Sequence, residues 1–402
     1  MKITFLLTQS LESPSGLGRY WPLAKELARL GHSVNVLALH HDIGTIKHRC
    51  FIEDGVKIYY VGQMHVRKLG NYKLYFSPIQ LLCISMLATL QLARAALRMQ
   101  ADIYHVCKPH PMNGLAGLVT KVVKRKNVFL DCDDYEAFSN RFAGHWQQQI
   151  IAWFENYLPN FAVGITTNTR FMVRRLESLG YPANRIIYVP NGVDQDRFSS
   201  INEAEVEVLR ERLGLSTNKV VLYIGTMSLS NHAVDLLIEA FGIVHQAERI
   251  ASLILVGGGE DYELLKSKVV SLGLGSCTLF VGKVPSNQAP LYYRLADVSV
   301  DPVHDDLVAR ARSPLKIVES LAAGVPIVTG NVGDRYELLG GGCAGKLVVP
   351  GDARALALGI LEVIENPMTA LEMVRSAKSL RTKYYWDVLV KDFIQVYELV
   401  KP

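Results

Sequence analysis

Short apolar runs recur along the first half of the chain at 2–8, 33–39, 56–61, 102–107, 127–131, 162–166 and 186–189, each bounded by turn residues. Amphipathic segments of helical period lie between most of them, and this alternation predicts a parallel sheet covered by helices on both faces. The pattern restarts at 219–225 and continues at 252–256, 278–281, 298–301, 326–329 and 346–349. A second α/β sheet of the same class follows. Between the halves, Val189-Pro190-Asn191-Gly192-Val193-Asp194 is rich in turn formers and reads as a hinge. The expected domains are 1–195 and 196–385. A last helix, about 386–402, carries an apolar stripe through Val388, Leu389, Phe393, Val396 and Leu399 and is expected to cross back onto the first domain.

A length of 402 residues agrees with two cores rather than one. The charge of +5 suits an anionic substrate or an anionic membrane surface and is too small and dispersed for nucleic acid. Six cysteines without a C-x-x-C pair or metal-ligand spacing read as free thiols in a reducing compartment. The first strand is too short an apolar run for a signal peptide, so a cytoplasmic protein is expected. Residues 74–93 carry no charge and are flanked by Lys73, Arg94 and Arg98. A helix starting at Pro78 would leave about 16 residues, short for a membrane span, so a packed core or domain-surface helix is favoured over a membrane-facing monotopic one, and both over a true span. Arg94, Arg98, Lys121, Lys124, Arg125 and Lys126 would suit contact with the inner face of an anionic membrane. Nothing in the pattern sets an oligomeric state.

The segment 313–326 concentrates the candidate chemistry. Ser313 is a suitable N-cap, Pro314 suits the first helical position, and Gly324 with Pro326 ends the helix. Lys316, Glu319 and Ser320 then share a face, with Arg312 just before it. A cation beside free helix amides suits a phosphate, and a carboxylate one turn on suits sugar hydroxyls. At the end of the 219–225 strand, Gly225-Thr226 leads to Ser230, Asn231 and His232, with Ser230 or Asn231 expected to cap the next helix. Two helix N-termini at one sheet edge suggest a diphosphate.

In the first half, Gly16 and Gly18 form a glycine-bearing turn into a helix, but the third glycine of a dinucleotide fingerprint falls at Trp21. The acidic run from Asp131 to Glu136 needs a cation, proton or substrate to offset its repulsion, which makes Asp133 or Asp134 a candidate for hydroxyl contact or base chemistry. His105 and His110 read as structural, and no metal site is expected.

On the glycine turn with Gly31-His32-Ser33-Val34, the hinge at 189–194, Val256-Gly257-Gly258-Gly259 and Glu319-Ser-Leu-Ala-Ala-Gly-Val-Pro at 319–326, the chain resembles glycosyltransferase family four. The resemblance implies the GT-B fold, two facing Rossmann-like domains with an interdomain cleft. It also implies transfer of a sugar from a nucleotide-diphospho-sugar to a hydroxyl of a saccharide or lipid-linked acceptor, with retention and without a metal or other cofactor, in cell-surface polysaccharide or glycolipid synthesis. By the same resemblance Glu319 holds the donor ribose, Lys316 and the amides near Gly225 and Thr226 bind the diphosphate, Val284 lies near the base, and Gly16 and Gly18 line the site.

The chain also departs from the family pattern. Ala311 stands where the first of two glutamates is expected, leaving Asp305 or Asp306 as substitutes. His232 or Asn231 replaces a lysine, with Arg310 and Arg312 as compensating cations, and Asp133 stands in place of a histidine. A nucleotide-sugar epimerase and a non-catalytic nucleotide-sugar-binding subunit are the rival readings.

Overall fold

The computed structural model describes residues 1–69, 72–142, 144–199, 201–215 and 217–400, without the side chains of 68, 69, 72 and 73. The chain divides into two compact units, Met1–Asn191 with Trp386–Pro402, and Gly192–Tyr385. The last two residues of the expected 386–402 helix lie outside the described ones.

The first unit is built on β1 (Lys2–Leu7), β2 (Ser33–His40), β3 (Cys50–Glu53), β4 (Val56–Gln63), β5 (Val66–Leu69), β6 (Tyr72–Tyr75), β7 (Ile103–Cys107), β8 (Asn127–Cys132), β9 (Ile165–Thr167) and β10 (Ile186–Tyr188). Eight of these form one sheet in the order β10-β9-β8-β7-β1-β2-β4-β3, parallel except for β3, while β5 and β6 pair as a separate hairpin. Strands β1, β2, β7 and β8 are buried along almost their whole length, as required of a sheet covered on both faces. The expected C-terminal helix is two shorter ones, Trp386–Phe393 and Gln395–Glu398. Phe393, Val396 and Tyr397 enter the first unit's core beside Phe5 and Phe129. A side chain at Gly164 would lie 2.6 Å from Leu399, so a glycine is needed for that close approach.

The uncharged segment forms a helix longer than expected, Pro78–Arg98, opened by a capping box between Ser77 and Gln80. One face packs on the sheet through Ala88, Leu92 and Ala96, and the N-terminal half of the other is exposed.

The second unit contains β11 (Lys219–Ile224), β12 (Ala251–Val256), β13 (Thr278–Gly282), β14 (Val298–Asp301), β15 (Ile327–Gly330) and β16 (Lys346–Val348). They form one parallel sheet in the order β13-β12-β11-β14-β15-β16. The chain runs outward from β11 to β13 and then returns to the other side of β11. The carboxyl ends of β11 and β14 therefore flank the switch point, where doubly wound sheets hold their ligands.

Candidate nucleotide and acceptor sites

Three glycines shape the second unit's switch point. Gly225 follows β11 with φ 154° and Gly257 follows β12 with φ 129°. A Cβ on Gly257 would lie 1.9 Å from the Gly225 carbonyl oxygen, and one on Gly259 would lie 2.2 Å from that of Met227. The two strand-end loops thus stack backbone on backbone. Beyond them the helix Leu315–Ala323 brings Lys316 under Gly225, where a Cβ would stand 3.0 Å from Lys316 Cε. Lys316 Nζ lies 5.0 Å from the centre of the Tyr223 ring, 3.4 Å from His232 Nδ1 and 3.7 Å from Asp301 Oδ1.

Positive charge is in surplus at this point. Asp301 accepts from Arg335 Nε at 2.9 Å and from Thr329 at 3.1 Å, and these partners hold its carboxyl below the usual range despite burial. Arg312 donates to the carbonyl and the side-chain oxygen of Asn231, not to a carboxylate. Burial pushes the Lys316 ammonium downward, with Arg312 and Arg335 acting in the same direction against Asp301. Desolvation, then Lys316 and Arg312, drives His232 well below its ordinary value, so its imidazole is neutral. Two groups displaced toward their neutral forms mark a place where an anion would be stabilised.

One turn beyond Lys316, Glu319 accepts from Tyr293 Oη at 3.1 Å and from Arg197 at 3.4 Å. Arg197 also donates to the Ser286 carbonyl at 2.8 Å. It thereby ties Glu319 to the loop after β13 that carries half-buried Val284. Gly225, Thr226, His232, Arg312, Lys316, Glu319 and Val284 all belong to this edge of the second unit. Arg197 and Tyr293 complete it without having been singled out, because no motif marks residues that act by orienting a carboxylate.

Several expectations need correction. Ser320 is fully buried, donates to the Lys316 carbonyl at 2.7 Å and lies 2.6 Å from Ser299, so it fastens the helix to β14 and faces no ligand. Arg310 is exposed and forms a bidentate pair with Asp305, so it adds no charge to the site. Asp306 caps the short helix Leu307–Arg310 and Asp305 pairs with Arg310, so both aspartates expected as substitutes for the missing glutamate are already engaged. Pro314, not Ser313, is the cap residue of Leu315–Ala323, and Ala233, not Ser230 or Asn231, that of Val234–Ala247. Neither helix receives a side-chain cap.

In the first unit the glycine turn is itself helical. Gly16–Tyr20 forms a π-turn that runs into the helix Trp21–Arg29, and a side chain on Gly16 would lie 2.4 Å from the Ser10 carbonyl. Gly16 is therefore required by close packing, and half-buried Gly18 lies inside the turn and not in a loop before it. The turn delivers Arg19 to Asp131, which it meets bidentately at 2.7 Å on both bonds, and to the Val189 carbonyl at 3.0 Å.

The rest of the acidic run surrounds Lys108, which sits at φ 74° just after β7. Lys108 Nζ lies 3.2 Å from Asp133, 2.8 Å from Asp134 and 2.5 Å from Glu136. His110 Nε2 lies 2.9 Å from the other Glu136 oxygen. The expected compensating cation is thus Lys108, a residue that pattern alone did not mark. Lys108 is close to Asp133 Oδ1 but is not aligned to hydrogen-bond it, and that buried oxygen has no hydrogen-bond partner. Burial above all, against relief from Lys108 and helped by the neighbouring Asp134, Asp131 and Glu136, pushes Asp133 up to about 8. The three carboxylates lie close enough to suit a cation, and the lysine ammonium already occupies that role. His105 is buried against Tyr397 and is pushed down to about 4 by desolvation, as befits a structural residue.

Residues 16–197 match the family described as Glycosyltransferase Family 4, and residues 218–366 match Glycosyl transferases group 1. The chain belongs to glycosyltransferase family four. Among relatives of this family four member, a GDP-mannose-dependent alpha-(1-6)-phosphatidylinositol monomannoside mannosyltransferase from Mycolicibacterium smegmatis is 29% identical over 218 residues, 54% of this chain and 56% of that protein. A 2-deoxystreptamine glucosyltransferase from Streptomyces kanamyceticus is 28% identical over 239 residues, 58% of this chain and 59% of that protein. The matches thus span little more than half the length of these relatives. The sucrose-phosphate synthase of Thermosynechococcus elongatus superposes with a TM-score of 0.78 at 17% identity, over 99% of this chain and 98% of the other. Anabaena HepE, solved with UDP-glucose, gives 0.73 at 18% identity, over 99% of both chains. The fold is GT-B, with two Rossmann-like domains.

Proposed function

We propose that this family four protein transfers a sugar from a nucleotide-diphospho-sugar to a hydroxyl of a saccharide or lipid-linked acceptor, with retention at the anomeric carbon. The observation that carries this reading is the surplus of positive charge at the β11–β14 switch point, where Lys316 lies under Gly225 beside neutral His232 and Arg312. Departure of a nucleoside diphosphate concentrates negative charge on its oxygens. Fixed cations and uncapped helix amides in a desolvated site stabilise that charge more in the transition state than in the ground state. Lys316 and Arg312 supply the counter-charge, Glu319 accepts from the ribose hydroxyls, and Arg197 and Tyr293 hold its carboxylate in place. On the acceptor side Asp133, protonated up to about pH 8, offers a buried carboxyl for hydroxyl contact, with Asp134 and Glu136 fixing Lys108 beside it.

Similarity to a GDP-mannose-dependent mannosyltransferase and to HepE, solved with UDP-glucose, supports a nucleotide-sugar donor. The six unpaired cysteines support a reducing compartment such as the cytoplasm. Synthesis of a cell-surface polysaccharide or glycolipid would use such a reaction. Buried Ala311 in place of a glutamate favours a second reading, a partner subunit that binds the donor without turning it over. Calorimetry against UDP, GDP and ADP tests the shared premise: one of them should bind with at least tenfold preference, and failure of all three to bind would refute both readings.

A further inference from the structure

One side of the first unit presents apolar side chains that its own fold leaves uncovered. The helices Pro78–Arg98, Pro111–Lys124 and His145–Tyr157 lie side by side, the middle one packing on both neighbours. On the first, Ile79, Leu82, Met86 and Leu90 recur at helical spacing on one outward face, from 57% exposed at Leu82 to 77% at Ile79. On the third, Trp146, Ile150 and Trp153 repeat the pattern, and Val122 and Val123 are exposed at the end of the helix between them. Isolated exposed apolar residues are ordinary on soluble proteins. A stripe on each of two helices flanking a third is the signature of a covered surface.

Charge identifies what covers it. The helix Pro78–Arg98 and the segment 111–126, which holds the helix Pro111–Lys124, contain six Lys and Arg and no Asp or Glu. Arg94 continues the apolar face of Pro78–Arg98 by one turn and is exposed, as are Arg98 and Arg125. Lys121 and Lys124 donate to the Phe161 and Met99 carbonyls, so these two, expected to face a membrane, are engaged within the unit. An apolar face bordered by guanidinium groups and indoles matches the interface of an anionic bilayer, where acyl chains take the aliphatic stripe, headgroups the arginines, and the boundary region the tryptophans.

We propose that this helical layer is a monotopic docking surface for an anionic lipid bilayer. The helix Pro78–Arg98 is long and apolar enough to cross a membrane, but it lies on the surface instead. Ala88, Leu92 and Ala96 are buried in the unit, and Gly62 of β4 approaches the helix so closely that a Cβ there would stand 2.2 Å from Gln91 Oε1. Insertion across the bilayer would strip away that packing. This inference does not depend on the transferase reading, because docking requires no turnover.

The test is flotation of the full-length protein with vesicles of phosphatidylcholine alone and of phosphatidylcholine with phosphatidylglycerol. The protein should float with the anionic vesicles, release as ionic strength rises, and show tryptophan quenching by brominated acyl chains. Arg94→Glu with Arg98→Glu should weaken partition into anionic vesicles about tenfold or more, on the scale of two basic side chains near an anionic leaflet. Met86→Glu with Leu90→Glu should do the same, with an unchanged thermal melt showing that the unit remains folded. Trp153→Ser, far from those positions in sequence, should remove part of the quenching. No flotation, equal flotation with both vesicle types, or self-association abolished by the same substitutions in place of vesicle binding would overturn the proposal.

Discussion

Replacing Lys316 with methionine separates its charge from its packing. The methionine keeps an apolar stem against Tyr223 and removes the ammonium. Asp301 is not orphaned, because Arg335 at 2.9 Å and Thr329 at 3.1 Å remain its partners. A unit charge about 4 Å from a phosphate is worth about 4 kcal/mol at an effective dielectric constant of about 20. Asp301, 3.7 Å from Lys316, already cancels part of that field. A loss of about 2 kcal/mol in nucleoside diphosphate affinity is left, or roughly thirtyfold in Kd. Stability should move the other way. Because the fold holds Lys316 below its ordinary value, the charged form is disfavoured at neutral pH, a penalty relieved only as pH rises toward the unfolded-state value. The unliganded variant should therefore melt at or above the wild-type temperature while losing most of the stabilisation that the nucleotide provides. Calorimetry and thermal shift on the same samples measure both quantities. An unchanged affinity for every nucleoside diphosphate would remove Lys316 from the site, and a lower melting temperature without ligand would refute the electrostatic argument.

Glu319→Gln should weaken donor binding about tenfold, since it removes a charge-assisted acceptor for the ribose. It should also abolish discrimination against deoxyribose nucleotides, and a variant that still discriminates would place the ribose elsewhere. Gly257→Ala should cost about 2–4 kcal/mol, because its Cβ would collide with the Gly225 carbonyl oxygen, a backbone atom that cannot move aside cheaply; urea unfolding checks this, and an unchanged midpoint would be the contrary result. Asp133, raised to about 8 in the fold from an ordinary 3.8, favours folding at low pH and loses that contribution as pH rises through the interval between those values. The Asp133→Asn variant should therefore gain stability relative to wild type as pH rises from about 4 to about 8 and keep a constant advantage above that. Melts across that range that run parallel for the two proteins would show that Asp133 ionises normally.

The alternation of apolar runs revealed both parallel sheets, because a strand buried on two faces leaves a continuous hydrophobic signature. It missed β3, whose exposed residues on an edge antiparallel strand leave no such run, and the hairpin strands β5 and β6, and it placed the start of β9 too early. Residues 158–161 form a 3-10 turn, and the strand begins only after Gly164, at Ile165. Lys316 and Glu319 were legible because helix spacing alone puts them on one face. Ser320 shared that sequence logic, but its rotation toward β14 depends on tertiary packing. Lys108 was hidden because its role arises from a left-handed residue after β7 meeting a loop that begins 25 positions later. Asp305 and Asp306 looked available because a one-dimensional reading does not show that Arg310 and a helix cap already use them.

Product analysis by NMR after incubation with UDP-, GDP- and ADP-hexoses and a panel of saccharide and lipid-linked acceptors tests the central claim most directly. The account predicts release of one nucleoside diphosphate together with a glycoside that keeps the donor's anomeric configuration. Tight donor binding with no turnover over the whole panel, or a product of inverted configuration, would contradict it.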